Sequence, residues 1–295
     1  VSWTIHELLK VTSDYLTQKG IESPRLSAEI LLAHQLNLSR VKLYLNFDKP
    51  LGEEEVAGFR NLVRRRLRRE PLQYITGHQE FWSLDFRVGP EVLIPRPETE
   101  VLVEQVLRLL EEKKVPDTDH PKILDLGTGC GALAVSLALE IKSAAVWATD
   151  KSEEALELAR LNAENHGVAE RVVFKMGDLW QPFEAGDIRF DVIVSNPPYV
   201  DSRVFHALPL EVRDYEPRAA LDGQEGGMFY IEKIILGSRD YLNPSAWVLI
   251  EMDPGQTPTA LRLIEKSGLY AAWERVKDYS HRYRVVMAQN KDRLS

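Results

Sequence analysis

Ile123-Leu124-Asp125-Leu126-Gly127-Thr128-Gly129-Cys130-Gly131-Ala132 is the stretch from which the fold of this chain is read. An apolar run carrying one aspartate forms a short strand, three glycines turn the backbone, and a second apolar run starting at Ala132 opens a helix. Glycine suits the turn because the backbone must reverse sharply and a ligand must approach it closely. The loop also fits the relaxed dinucleotide pattern Gly-x-Gly-x-x-Ala, so alone it does not choose a cofactor. Cys130, between two glycines and with no histidine near it in sequence, reads as a small filler rather than a nucleophile.

Outward from this unit, strand-like and helix-like segments alternate. Strands are expected at Lys122–Leu126, Ala144–Thr149, Val172–Met176, Ile188–Ser195 and Trp247–Met252, and helices at about Ala132–Glu140, Ser152–Asn165, Gly226–Leu236 and Thr257–Ser267. The alternation predicts an α/β fold, a mostly parallel sheet with helices on both faces. The tail departs from it. Ala271–Val276 and Arg282–Ala288 are extended segments around Lys277-Asp278-Tyr279-Ser280-His281, an antiparallel hairpin that separates one class of nucleotide-binding fold from the plain dinucleotide fold.

Before Pro121 the character differs. Residues 1–70 read as helical: Thr4-Ile5-His6-Glu7 has the form of a capping box, and Ile5, Leu8, Leu9 and Leu16 mark an apolar face behind it. Ser23-Pro24 reads as an N-cap followed by proline at the first helical position, with Ile30, Leu31, Leu32 and Leu36 as the next stripe. After the break at Pro50-Leu51-Gly52, a helix is expected from roughly Glu53 to Arg69. Residues 71–97, with Phe81-Trp82-Ser83-Leu84-Asp85-Phe86-Arg87-Val88 at their centre, read as a β-hairpin connector, followed by a long helix from about Glu98 to Lys113.

Composition narrows the class. A chain of 295 residues with 44% hydrophobic content can bury a sizeable core, as one large or two ordinary domains of ~150 residues. The longest apolar runs fall short of the ~20 residues a membrane span needs, and no signal pattern opens the chain. One cysteine excludes an internal disulfide and fits a reducing cytoplasm. Seven scattered histidines and no cysteine cluster make a metal site unexpected. A net charge of −8 argues against non-specific nucleic-acid binding. The arginines at 60, 64, 65, 66, 68 and 69 stand out against it, as a docking patch for an acidic partner or as a solvated helix face.

Candidate binding residues fall at strand ends, where open α/β sheets hold ligands. Asp125 precedes the first glycine, and Asp150 ends the second strand, where a carboxylate suits the two hydroxyls of a ribose. NAD enzymes and S-adenosylmethionine enzymes share that need. Gly177-Asp178-Leu179 closes the third strand. Phe190–Ser195 then runs into Asn196-Pro197-Pro198-Tyr199, a turn whose prolines fix φ and donate no hydrogen bond. Such a turn presents carbonyl oxygens and an aromatic face to a planar NH2-bearing group.

The ordered set Asp125-Leu-Gly-Thr-Gly-x-Gly131, Asp150 and Asn196-Pro-Pro-Tyr199 resembles the class I S-adenosylmethionine-dependent methyltransferases acting on amide or exocyclic amino nitrogen. Leu72-Gln73-Tyr74-Ile75-Thr76-Gly77, Glu80-Phe81-Trp82 and Leu93-Ile94-Pro95-Arg96-Pro97-Glu98-Thr99-Glu100 resemble the bacterial peptide-chain release factor glutamine N5-methyltransferases. The resemblance implies a helical N-terminal domain (1–70) that docks substrate, a hairpin linker (71–97), and a seven-stranded Rossmann-like catalytic domain (98–295). It implies S-adenosylmethionine as cofactor, with S-adenosylhomocysteine as product. Gly127, Thr128, Gly129, Cys130, Gly131, Asp150 and Asn196 would hold this cofactor, with Asp178 and Leu179 flanking its adenine. Some members carry Trp directly after the Asp, whereas this chain has Leu179 and then Trp180. Asn196, Pro197, Pro198 and Tyr199 would hold the acceptor, the glutamine of the Gly-Gly-Gln loop of class-1 release factors, in the cytoplasm and with no metal. Three readings compete: a glutamine methyltransferase of a ribosomal protein, an N6-adenine nucleic-acid methyltransferase, and an NAD-dependent oxidoreductase using the same glycine loop.

Overall fold

The computed structural model describes residues 3–184 and 188–291. The chain divides into two compact units, residues 1–78 with 209–215, and residues 79–208 with 216–295.

In the first unit, α1 (Ile5–Gln18), α2 (Pro24–Leu36), α3 (Arg40–Leu45), α4 (Glu53–Leu67) and α5 (Leu72–Thr76) pack around Ile5, Leu9, Leu16, Leu31, Leu32 and Phe59. The capping box forms: Glu7 N donates to the Thr4 hydroxyl, and Thr4 N donates to the Glu7 carboxylate at 2.9 Å. Pro24 takes the first helical position, but Ser23 makes no side-chain cap bond because its backbone is left-handed (φ 47) rather than extended. Glu29, on the buried side of α2, accepts from Arg25, Arg40 and Tyr44. The arginine cluster is partly committed within the unit. Arg65 pairs with Glu70 at 2.5 Å, the buried Arg66 with Glu211 at 2.7 Å, Arg69 donates to Gly20 O, and Arg64 to Asn61. The connector reading of 71–97 needs amending, since Leu72–Thr76 is helical and the hairpin is confined to β1 (His78–Phe81) and β2 (Leu84–Arg87).

The second unit is built on a seven-stranded sheet of β3 (Lys122–Leu126), β4 (Ala145–Asp150), β5 (Val172–Met176), β6 (Phe190–Ser195), β7 (Leu242–Glu251), β8 (Tyr270–Lys277) and β9 (Tyr283–Asn290). Their order is β5-β4-β3-β6-β7-β9-β8, parallel except for β9, which runs antiparallel to both neighbours. The expected α/β sheet with a terminal antiparallel hairpin is thus the observed one. The hydrophobic cluster beneath it joins Leu124, Ile193, Ile234, Val248 and Val286. Four helices of this unit are α6 (Glu100–Glu111), α7 (Ala132–Glu140), α8 (Glu153–Asn165) and α9 (Phe229–Gly237), and α10 (Thr257–Ser267) follows β7.

Among the boundaries that shift, three have a local reason. A 3-10 turn at Pro97–Thr99 precedes α6, so the expected helix from Glu98 begins in a tighter form. Gly226 sits at φ 76, which delays α9 to Phe229. The strand expected from Trp247 begins at Leu242, which pairs with Phe190 across a register shift.

The topology positions the site. From β3 the chain proceeds outward to β4 and β5, then crosses back to lay β6 on the other side of β3. The crevice above β3 and β6 is therefore the switch point where such sheets bind ligands. Leu126 pairs with Ser195, so the glycine loop and the Asn-Pro-Pro-Tyr turn leave adjacent strands at the same level.

Candidate active site

Gly127 N and Thr128 N both donate to Thr149 O at 2.9 Å, which folds the glycine loop over the end of β4. Gly127 (φ +75) and Gly129 (φ +56) hold left-handed backbone with nothing within 4 Å of where a Cβ would stand, so the loop is open on that side. Asp150 locks the loop from beneath, accepting from Gly129 N at 2.9 Å and Ser152 N at 3.0 Å. Burial raises its carboxyl above the ordinary aspartate range, against those two donors.

A cavity of about 280 Å³ lies over this floor, lined by Gly127, Thr128, Gly129, Cys130, Asp150, Asp178, Leu179, Asn196, Pro197 and Pro198. Gly131 is not part of its wall. A Cβ there would stand 3.1 Å from Ala159 Cβ, so this glycine permits the close approach of α7 and α8. Leu179 lines the cavity, whereas Trp180 stacks on Tyr241 with ring centroids 4.6 Å apart. Burial pushes the Cys130 thiol up to about 12, in keeping with its reading as an inert filler. Asp125 lies deeper: fully buried, it accepts from the Thr128 hydroxyl at 2.6 Å, and burial pushes its carboxyl up to about 7.

A second cavity, about 570 Å³, shares Leu93, Asn196, Pro197 and Ala220 with the first and adds Arg96, Tyr199, Asp253 and Gln256. Asn196 and Pro197 are therefore a common wall. The remaining sequence-derived candidates gather here, Pro198 on the first cavity and Tyr199 on the second.

From Thr99, which itself lines the first cavity, runs a hydrogen-bonded chain that sequence reasoning missed. Asn196 Nδ2 donates to Thr99 Oγ1 at 3.0 Å, and the Thr99 hydroxyl donates to Glu251 Oε2 at 2.6 Å. The Tyr199 hydroxyl donates to Glu251 Oε1 at 3.2 Å, and Gln256 Nε2 donates to Tyr199 O at 2.8 Å. Burial pushes the Glu251 carboxyl up to about 7, moderated by Thr99 and by the charge of Arg284. The Tyr199 phenol is raised by its own burial and by Glu251. Thr99 had a signal, since it stands inside the Pro95–Glu100 motif. Glu251 had a weaker one: it ends β7, the strand beside β6, at the sheet edge where ligands bind.

Residues 7–77 match the family model described as the PrmC N-terminal domain, and residues 101–210 the one described as a methyltransferase small domain. Over 266 residues the chain is 48% identical to the release factor glutamine methyltransferase of Geobacter sulfurreducens, covering 90% of each chain. The protein of that name from Rhodopirellula baltica is 40% identical over 287 residues, covering 97% of this chain and 96% of its own. The chain belongs to the release factor glutamine methyltransferase family. It is an S-adenosylmethionine-dependent methyltransferase, which removes the oxidoreductase reading. Among solved structures, the hMettl16 catalytic domain in complex with MAT2A 3′UTR hairpin 6 aligns with 78% of this chain and 83% of its own at a TM-score of 0.56 and 16% identity, a likeness of fold alone.

The first cavity fits the donor of this family. The glycine loop leaves room where side chains would obstruct it, and Asp150 lines the cavity from its floor. Gly127 to Cys130, Asp150, Asp178 and Leu179 are the residues that could hold it. Among the described residues, no helix is long and apolar enough to cross a membrane.

Proposed function

We propose that this protein methylates the side-chain amide nitrogen (N5) of the glutamine in the Gly-Gly-Gln motif of class-1 peptide-chain release factors. The observation that carries the proposal is the wall shared by the two cavities, whose Asn196 amide has its NH2 group engaged by Thr99 and its oxygen left for a substrate N–H. The names of the relatives from Geobacter sulfurreducens and Rhodopirellula baltica support a release factor as the methyl acceptor.

When bound, S-adenosylmethionine supplies an electrophilic methyl group on a sulfonium. The chain's own residues must present a poor nucleophile to it, because the lone pair of an amide nitrogen is delocalised into the carbonyl. Asn196 Oδ1 and the Pro197 carbonyl accept the two substrate N–H groups, fixing the nitrogen and favouring the positive charge that develops on it. Tyr199 packs on the amide plane. Orientation of this kind contributes up to ~7–11 kcal/mol in favourable systems. A strong general base is unnecessary, since the nitrogen becomes acidic as its bond to carbon forms. Gly127 to Cys130 and Asp150 would hold the donor, with Asp178 and Leu179 beside the adenine, while Gly131 lets α7 approach α8. Residues 1–70 dock the protein substrate and 98–295 carry catalysis, without direct nucleic-acid binding and in the cytoplasm.

Incubation with labelled S-adenosylmethionine and purified release factor, followed by peptide mass spectrometry, tests the assignment. Label is expected on the Gly-Gly-Gln glutamine, and label confined to any other residue or to nucleic acid would overturn it.

A further inference from the structure

We infer that Thr99 and Glu251 are positioning residues that set which end of the Asn196 amide faces the acceptor. An asparagine amide has two ends of nearly equal shape, one accepting and one donating. Only the accepting end can hold a substrate NH2 group, so a flipped Asn196 would oppose two donors and reject the glutamine. Nothing in the Asn-Pro-Pro-Tyr sequence decides between the two orientations. The decision comes from behind. Glu251, as a carboxylate, only accepts, and it takes the Thr99 hydroxyl proton at 2.6 Å. Thr99 Oγ1, having spent its proton, can only accept from Asn196, and it meets Nδ2 at 3.0 Å. Oδ1 is thereby left to the cavity. The Tyr199 hydroxyl donates to the other oxygen of Glu251, so the same carboxylate also fixes the aromatic face of the turn.

The device is built into the fold. Thr99 lies in the 3-10 turn before α6, Glu251 ends β7, and Asn196 follows β6, so three elements converge on one polarised chain. Thr99 and Glu251 are 5% and 1% exposed, so the Glu251 end of the chain is buried while Thr99 borders the first cavity. The charged groups facing Glu251 are Arg284 on β9, itself paired with Asp278 at 3.1 Å, and Glu98 in the 3-10 turn. Protonation of Glu251 would make it a donor as well and would remove the constraint on Thr99.

The inference rests on the proposed methylation of glutamine, and its test separates the two. Wild type, Thr99→Val and Thr99→Ser are compared with release factor as acceptor, and S-adenosylhomocysteine affinity is measured by calorimetry. In Thr99→Val, which keeps shape and loses the hydroxyl, kcat is expected to fall by roughly 10²-fold, the cost of misplacing a reacting group. Cofactor affinity should hold, and Thr99→Ser should recover most of the loss. Should Thr99→Val not fold, the pH profile of wild type against Glu251→Gln decides: kcat of wild type should fall as pH drops through about 7, and the variant should lack that limb. Equal kcat for wild type and Thr99→Val, equal loss in Thr99→Ser, or a limb unchanged in Glu251→Gln would overturn the inference. A wild type that methylates no glutamine would instead defeat the underlying assignment.

Discussion

Asn196 shows how much depends on one side chain at the end of one strand. It borders both cavities and makes a hydrogen bond to Thr99, so its removal deletes an acceptor without disturbing the glycine loop. In Asn196→Ala, single-turnover methyl transfer is expected to slow by about 10²–10³-fold, the usual cost of one preorganised polar group at a reacting centre. Calorimetric affinity for S-adenosylhomocysteine should stay near that of wild type, because Gly127 to Cys130 and Asp150 remain. Turnover close to wild type would mean that another acceptor holds the amide.

Among the elements, α8 has a role its amphipathic pattern hides. Its start was legible: the Ser152 hydroxyl caps it by accepting from Ala155 N at 3.1 Å. Asn162, in its interior, is a polar side chain that is nonetheless fully buried. Its Oδ1 accepts from Arg87 N at 2.8 Å, while Nδ2 donates to Arg87 O at 3.0 Å and to Cys130 O at 2.8 Å. One side chain thus ties the β2 strand of the hairpin to the glycine loop, across 75 and 32 residues of sequence. Asn162→Leu would strand those backbone groups and should cost about 1–3 kcal/mol, read from the urea midpoint. A weaker S-adenosylhomocysteine affinity should accompany it, since the loop loses its anchor. An unchanged midpoint would show that solvent satisfies these groups.

At the scale of the whole molecule, catalytic geometry and stability pull against each other. Burial pushes the Glu251 carboxyl from 4.5 to about 7 and that of Asp125 from 3.8 to about 7. Within that window the folded chain keeps protons that the unfolded chain has released. Each group's contribution to stability is therefore full below its unfolded value and is lost as pH rises through the folded one. Relative to Glu251→Gln, which cannot ionise, wild type should lose stability as pH rises from about 5 to about 8, followed by urea denaturation. A difference constant across that range would contradict the buried-carboxyl account. In the inferred positioning device the ionised Glu251 orients Thr99, which would place function in the less stable protonation state.

The sequence by itself determined the sheet, the glycine loop and the Asn196-Pro-Pro-Tyr199 turn. Periodicity and turn chemistry act over a few residues, and Lys122–Leu126, Ala132–Glu140, Val172–Met176 and Thr257–Ser267 carry those signals without interruption. Where neighbours overrule local preference, the reading slipped: at the helical Leu72–Thr76 and at the early start of β7. Only the tertiary structure decided that Asp150 holds Gly129, that Asn162 holds Cys130, and that Asn196 hangs from Thr99 and Glu251. Thr99 and Glu251 are 152 residues apart, and no spacing rule reaches that far. The orientation of an amide depends on donors and acceptors that only folding brings together.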